Sequence, residues 1–136
     1  MARLTRQVEK ALGTVELTLP QFRVLSTLED GSNASSVLAQ RLAVSAPSVT
    51  AVVDGLVTRG YVEREADPDD RRRLTLRLTR AGESALRAAD TAMLERFDRV
   101  AAHLDDPATA TDALGALAVW NTALDRFFEA RSAAKQ

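Results

Sequence analysis

Apolar residues recur at helical spacing along most of the chain, which predicts a mainly α-helical protein. The first helix carries four apolar residues on one face: Leu4, Val8, Leu12 and Val15. Pro20 is placed to open a second helix that ends at Asp30-Gly31. Two further helices are predicted over residues 37–42 and 46–59, the second with Ser45 as its N-cap and Gly60 just beyond its last turn.

The apolar period changes from 3.6 to 2 between residues 61 and 79, which predicts a β-hairpin. Leu74, Leu76 and Leu78 alternate with polar residues, so one face of the hairpin is expected to be buried. Thr79 is then the expected N-cap of a long helix with the stripe Leu86, Ala89, Met93, Phe97, Val100 and Leu104. A break at residues 105–107 precedes a last helix with the apolar residues Leu114, Leu117, Trp120, Leu124, Phe127 and Phe128.

The helices predicted over 37–42 and 46–59 fit a helix-turn-helix, a unit of about twenty residues with fixed apolar positions. With Ser35 as the first position, the expected apolar or small residues are all present: Leu38, Ala39, Leu42, Val44, Val49 and Val52. Ala43 stands where the turn often has glycine, and a plain αα-hairpin is the alternative interpretation. Since a hairpin follows directly, the sequence predicts a winged helix-turn-helix.

The wing and its flanks resemble the multiple antibiotic resistance regulator (MarR) family of bacterial transcription factors. Asp70-Arg71-Arg72, five further residues and Leu78-Thr79 reproduce the family's D-x-R-x5-L-T signature, and Ala81-Gly82 follows. The segment 19–25 resembles the opening of the family's second helix. Val49-Thr50, Val53-Asp54 and Leu56 resemble its recognition helix. The resemblance runs from about residue 4 to the end of the chain.

The resemblance implies one MarR-like domain over residues 1–136, mainly α with a small β-wing. Residues 19–79 would form the winged helix-turn-helix DNA-binding lobe, and residues 1–18 and 80–136 the dimerisation helices. It further implies a homodimeric repressor of a pseudo-palindromic operator in double-stranded DNA. Release by a small aromatic or phenolic ligand is also implied, although the sequence marks no pocket for one.

Short polar side chains in the first half of a recognition helix allow close approach to base edges. The residues expected there are Ser45, Pro47, Ser48 and Thr50, while Ser35 or Ser36 is expected to donate to phosphate from a helix start. Ala51 stands where family members commonly have arginine. The resemblance implies that Arg72 enters the minor groove while Asp70 orients its guanidinium. Arg71 and Arg73 would lie near phosphates, with Arg64 and Arg77 as further candidates.

A winged-helix core of about 60 residues cannot cover every apolar stripe of the terminal helices, which favours a two-fold homodimer. The expected interface residues are Leu4, Val8, Leu12, Leu117, Trp120, Leu124, Phe127 and Phe128. Packing within the chain is expected to claim some of them.

The 136 residues carry a net charge of −1 and no cysteine, which excludes thiolate metal sites and redox sensing through cysteine. The acidic total gives no sign of a nucleic-acid partner, but residues 41–80 hold eight arginines against six acidic groups. Asp67, Asp69 and Asp70 are interpreted as turn residues rather than metal ligands, and His103 as a helix-cap or surface residue. We expect no enzyme activity, cofactor, metal or membrane span, and a cytoplasmic location. The alternative function is a winged helix that binds other proteins rather than DNA.

Overall fold

The computed structural model describes residues 2–29, 31, 46–66 and 74–133. The described elements are α1 (Ala2–Gly13), α2 (Leu19–Glu29), α3 (Ala46–Thr58), β1 (Val62–Ala66), β2 (Leu74–Leu78), α4 (Arg80–Ala101) and α5 (Pro107–Ala133). They confirm the mainly α-helical class with a small β-wing. Most ends differ from the predicted ones by one or two residues, whereas α4 ends at Ala101, three residues before the predicted Leu104. The helix predicted over 37–42 lies outside the described residues.

The chain divides into two compact units, Met1–Arg96 and Phe97–Gln136. The first unit therefore contains α1 and most of α4 together with the helix-turn-helix residues and the hairpin. Arg96 on α4 donates two hydrogen bonds to Oε1 of Gln7 on α1, from Nε at 2.8 Å and from Nη2 at 2.5 Å. This pair of bonds ties the two helices together within the first unit.

A capping box opens α2. The Thr18 N–H donates to Oε1 of Gln21 at 2.9 Å, and the Gln21 N–H lies 3.4 Å from Oγ1 of Thr18. Pro20 lies in the first turn of the helix, where its missing N–H costs no intrahelical hydrogen bond. At the other end Gly31 has a φ of 85°, which confirms the predicted helix stop.

The core of the first unit takes residues from every one of its elements. Its largest fully buried side chains are Leu12, Val24, Leu25, Leu56, Val62, Leu76 and Leu86. No polar or charged side chain is buried among the described residues. Helices α2 and α3 and the hairpin therefore share one apolar core with α1 and α4.

Leu12 corrects one sequence-based expectation. Its side chain is 0% exposed within a single chain, so it cannot contact a second copy and does not belong to a dimer interface. Val8 is half-buried and packs against the same core, whereas Leu4 at the start of the helix is 44% exposed. The apolar residues of α1 are thus exposed at the start of the helix and buried in the core at its end.

The second unit holds the end of α4 and all of α5. Asp106 caps α5 by accepting a hydrogen bond from the Ala108 N–H at 3.0 Å. His103 lies in the turn after α4, with Nδ1 3.0 Å from the carbonyl oxygen of Arg99, as expected for a residue at a helix end. Among the described helices, none is long and apolar enough to cross a membrane.

Candidate nucleic-acid interface

Helix α3, the predicted recognition helix, presents one face to the core and the opposite face to solvent. Val49, Val53 and Leu56 are buried, and Val52 packs beside them. The exposed positions are Thr50, Ala51, Asp54 and Thr58. Because residues four apart share a helix face, Thr50, Asp54 and Thr58 form one outward row.

The structure places the predicted DNA-binding residues of the helix-turn-helix only in part. Thr50 lies on the outward row of α3. Pro47 and Ser48 lie within the first turn of α3, and their side chains are not among those described. Ser35, Ser36 and Ser45 lie outside the described residues, as do Asp70, Arg71, Arg72 and Arg73. Their roles remain predictions.

Strands β1 and β2 form the wing, an antiparallel hairpin that follows α3. The register pairs Val62 with Leu78, Arg64 with Leu76 and Ala66 with Leu74. Val62 and Leu76 are buried, which confirms the predicted apolar face of the hairpin. Residues 67–73, which include the three consecutive arginines, make the connection between the two strands.

The outer face of the wing is charged and internally paired. Nη2 of Arg77 lies 2.5 Å from Oε1 of Glu63 and 2.9 Å from Oε1 of Glu65. The hydrogen bond to Glu63, helped by the charge of Glu65, raises the pKa of Arg77. This cluster has a net charge of −1, so it offers a phosphate no excess positive charge, and Arg77 is a weak candidate for phosphate contact.

Arg64 lies on the core-facing side of β1 and reaches the recognition helix. Its Nη2 donates to Oδ1 of Asp54, in an ion pair that joins the wing to α3. Both side chains are more than a third exposed, so the pair contributes only about 0–1 kcal/mol to stability. Its larger effect is on charge, because it neutralises the only acidic group on the outward row of α3. The pairing was not predicted from the sequence, since no short-range pattern links residues ten apart.

A network of backbone contacts fixes the wing between α3 and α4. The Thr79 N–H donates to the carbonyl oxygen of Tyr61 at 3.1 Å, and Oγ1 of Thr79 donates to that of Gly60 at 2.6 Å. Oγ1 of Thr79 also accepts from the Gly82 N–H at 3.0 Å, which confirms Thr79 as the N-cap of α4. Gly60 has a φ of 72° and ends α3, as predicted. The Leu78-Thr79 and Gly82 positions of the wing signature therefore connect the end of α3, the end of the wing and the start of α4.

Arg59, the last residue before Gly60, was not singled out by the sequence. Its Nη1 donates to the carbonyl oxygen of Glu16 at 2.6 Å, and its Nη2 donates to the Tyr61 hydroxyl at 3.2 Å. The guanidinium carbon also lies 4.6 Å from the centroid of the Tyr61 ring. The sequence shows only a basic residue at a helix C-terminus, which is a favourable position for a positive charge. It does not indicate a hydrogen-bond acceptor 43 residues away.

Comparisons with known proteins agree with this architecture. The MarR family model matches residues 16–73. The uncharacterized HTH-type transcriptional regulator YpoP of Bacillus subtilis is 30% identical over 71% of this chain and 72% of its own length. The multiple antibiotic resistance protein MarR of Escherichia coli is 32% identical over 57% of this chain and 54% of its own length. The chain spans 42–72% of the length of the curated relatives it matches.

Among solved structures, a mutant MarR from E. coli complexed with operator DNA has the same fold. It superposes with a TM-score of 0.67 at 24% identity, over 85% of this chain and 86% of that one. The segment matched by the family model contains the recognition helix, the first strand of the wing and the run of arginines. The chain belongs to the MarR family of winged helix-turn-helix transcriptional regulators.

Proposed function

We propose that the protein is a homodimeric transcriptional repressor that binds a pseudo-palindromic operator through α3 and the wing. The observation that carries the proposal is the outward row of α3, which is exposed, is backed by the core of the lobe, and is neutral when the ion pair of Asp54 with Arg64 is counted. The structure of MarR with operator DNA, which shares this fold, supports the same use of the lobe here.

The outward row suits contact with the major groove. Thr50 and Ala51 are short, so the backbone of α3 can approach base edges closely. Asp54 would repel phosphates if it were unpaired, and its ion pair with Arg64 removes that repulsion. Because Ala51 replaces the arginine that family members commonly have, base recognition would depend on the polar residues around it.

The arginines proposed to contact DNA lie in the connection between the strands, which holds three arginines and three aspartates and is neutral overall. Arg71, Arg72 and Arg73 follow one another in the connection between β1 and β2, whereas Arg77 is already paired. An arginine is suited to a narrow minor groove, where negative potential is concentrated. The family's wing signature implies that Arg72 is the minor-groove residue, with Asp70 orienting its guanidinium and Arg71 and Arg73 near phosphates.

Exposed apolar side chains support the homodimer. Val119 is 70% exposed, Trp120 68% and Phe127 52% in the second unit, and Leu4 is exposed in the first. Such groups are costly on a monomer and are typical of protein interfaces. A two-fold dimer would also present two recognition helices to successive major grooves, about 34 Å apart. Leu117, Leu124 and Phe128 lie on the same helix as Trp120 and complete the proposed interface.

Repression, and its relief by a small aromatic or phenolic ligand, are supported by the family likeness alone. The described residues contain no buried charged or polar side chain that would bind the acid group of such a ligand. The ligand part of the proposal therefore needs its own test, by titration of the operator complex with simple aromatic acids.

Selection of bound fragments from genomic DNA tests the main proposal. The purified protein should enrich a small set of fragments that share an inverted repeat, and binding should weaken steeply with salt as counterions are released. Failure to enrich any repeat would overturn the proposal. A flat salt dependence would favour the alternative function, a winged helix that binds proteins. The net charge of −1 and the alanine at position 51 support that alternative.

A further inference from the structure

Helix α1 ends in a Schellman motif. The Leu17 N–H donates to the carbonyl oxygen of Leu12 at 3.0 Å, and the Glu16 N–H to that of Gly13 at 3.3 Å. Leu12 and Leu17 are both buried, which supplies the apolar contact that accompanies this motif. The residue in the left-handed conformation is Glu16, with a φ of 56°, at a position where glycine is usual.

Helix α3 ends in the same motif. The Tyr61 N–H donates to the carbonyl oxygen of Leu56, and the Gly60 N–H to that of Val57, each at 2.9 Å. Here the left-handed residue is glycine, so this end of the helix is not strained. Arg59 is the C-cap residue, the last one before the left-handed turn.

Arg59 joins the two helix ends. Its guanidinium donates a hydrogen bond to the backbone carbonyl oxygen of Glu16, the left-handed residue at the end of α1. The same guanidinium contacts the hydroxyl and the ring of Tyr61. The C-terminal end of each helix carries partial negative charge, so a cation placed between two such ends stabilises both. A charged donor also makes a stronger hydrogen bond to the carbonyl than a neutral one would.

We propose that Arg59 is a positioning residue that fixes the C-terminal end of the recognition helix to the turn between α1 and α2. Leu4 on α1 belongs to the proposed dimer interface, so this contact links the recognition helix to that interface and thereby to the separation of the two recognition helices. The inference rests on the proposed function. Helix α3 has 13 residues and is therefore about 20 Å long. A tilt of about 10° about the Arg59 end would move its other end by about 3 Å, close to the spacing of one base pair.

The dependence of affinity on the spacing of the operator half-sites tests this role, because a change in protein stability alone does not alter it. The measurement is the ratio of the affinities for the selected operator and for the same operator with one base pair inserted between its half-sites. Because a lower fraction of folded protein scales both affinities equally, it cancels in the ratio. Arg59→Gln removes the charge and shortens the side chain, so we expect it to lower the ratio at least threefold. Arg59→Lys keeps the charge and is expected to restore part of the loss.

Arg87→Gln is the matched control. Arg87 is exposed on α4, lies 3.9 Å from Glu83 in an ion pair, and loses the same charge on substitution, so the wild-type ratio is expected. An unchanged ratio in Arg59→Gln would overturn the inference. If Arg59→Gln does not fold, Arg59→Lys provides the test, because lysine cannot contact both Glu16 and Tyr61 as the guanidinium does. An unchanged ratio in Arg59→Lys would then overturn the inference. Absence of operator binding by the wild-type protein would instead overturn the proposed function.

Discussion

A β-carbon added to Gly82 would lie 2.0 Å from the carbonyl oxygen of Tyr61. That oxygen accepts the Thr79 N–H, so it cannot move away without breaking the joint between the wing and α4. The glycine of the wing signature is therefore required by the packing of α4 against Tyr61, the residue before β1, and the requirement is independent of DNA.

Gly82→Ala should lower the free energy of unfolding by about 2–3 kcal/mol, because backbone must shift to admit the methyl group. Gly115→Ala is the matched control. It lies in α5 with nothing within 4 Å of the added carbon, and should be neutral or stabilising by up to about 1 kcal/mol. Urea unfolding of both variants checks this, and equal effects would refute the packing argument.

Glu16→Gly should stabilise the protein. The left-handed conformation at Glu16 costs a residue with a side chain roughly 1 kcal/mol, and glycine avoids most of this cost. The bond from Arg59 goes to the backbone and is retained. Glu16→Ala keeps the strain and serves as the control. Chemical denaturation should rank the glycine variant above both other proteins, and a less stable glycine variant would show that the strain is compensated elsewhere.

Arg72→Ala should weaken operator binding about tenfold or more, while the fold and the dimer are unchanged. The slope of log affinity against log salt should also fall by about 1 if the side chain displaces a counterion. Arg87→Ala removes the same charge from the exposed surface of α4, outside the wing, so about wild-type affinity is expected. Fluorescence anisotropy with a labelled operator measures all three proteins. Equal losses for the two variants would remove the wing tip from the proposed interface.

Arg64→Gln should weaken operator binding about fivefold, because it leaves the Asp54 carboxylate unpaired on the outward row of α3. Adding Asp54→Asn to that variant should restore most of the affinity, since the repelling charge is then gone. The same titration provides the test. Without a rescue, Arg64 would have to contact DNA directly rather than act through Asp54.

Trp120→Glu should shift the protein from dimer to monomer. It places a charge among the exposed apolar side chains of α5, where Val119 and Trp120 are 70% and 68% exposed in a single chain. Ala108→Glu adds the same charge in the first turn of α5, where a carboxylate is favourable, and should leave the dimer intact. Sedimentation velocity distinguishes the two species. A monomeric wild-type protein, or a dimeric Trp120→Glu variant, would contradict the proposed interface.

The elements and their inner faces could be predicted because they depend on short-range periodicity. Val49, Val53 and Leu56 repeat at helical spacing, Leu76 and Leu78 alternate, and the structure buries or half-buries each of them as that pattern requires. Gly60 and Thr79 were predictable for the same reason, since caps are encoded within a few residues of the helix end.

Long-range partners could not be predicted in this way. A stripe of apolar residues does not reveal whether it packs against the same chain or against a second copy. The sequence therefore places Leu12 in a dimer interface, whereas the structure buries it in the core. The contact of Arg59 with Glu16 spans 43 residues, and a glutamate gives no sign of a left-handed turn. In the candidate site, the Arg64 and Asp54 pairing was missed for the same reason.

The acceptor of the Arg59 contact is a peptide carbonyl, which every amino acid carries. Substitutions at residue 16 therefore leave the acceptor in place, whereas an insertion or deletion between residues 13 and 18 would move it away from the recognition helix. Among relatives, this turn should tolerate changes of residue type but keep its length wherever the arginine is kept.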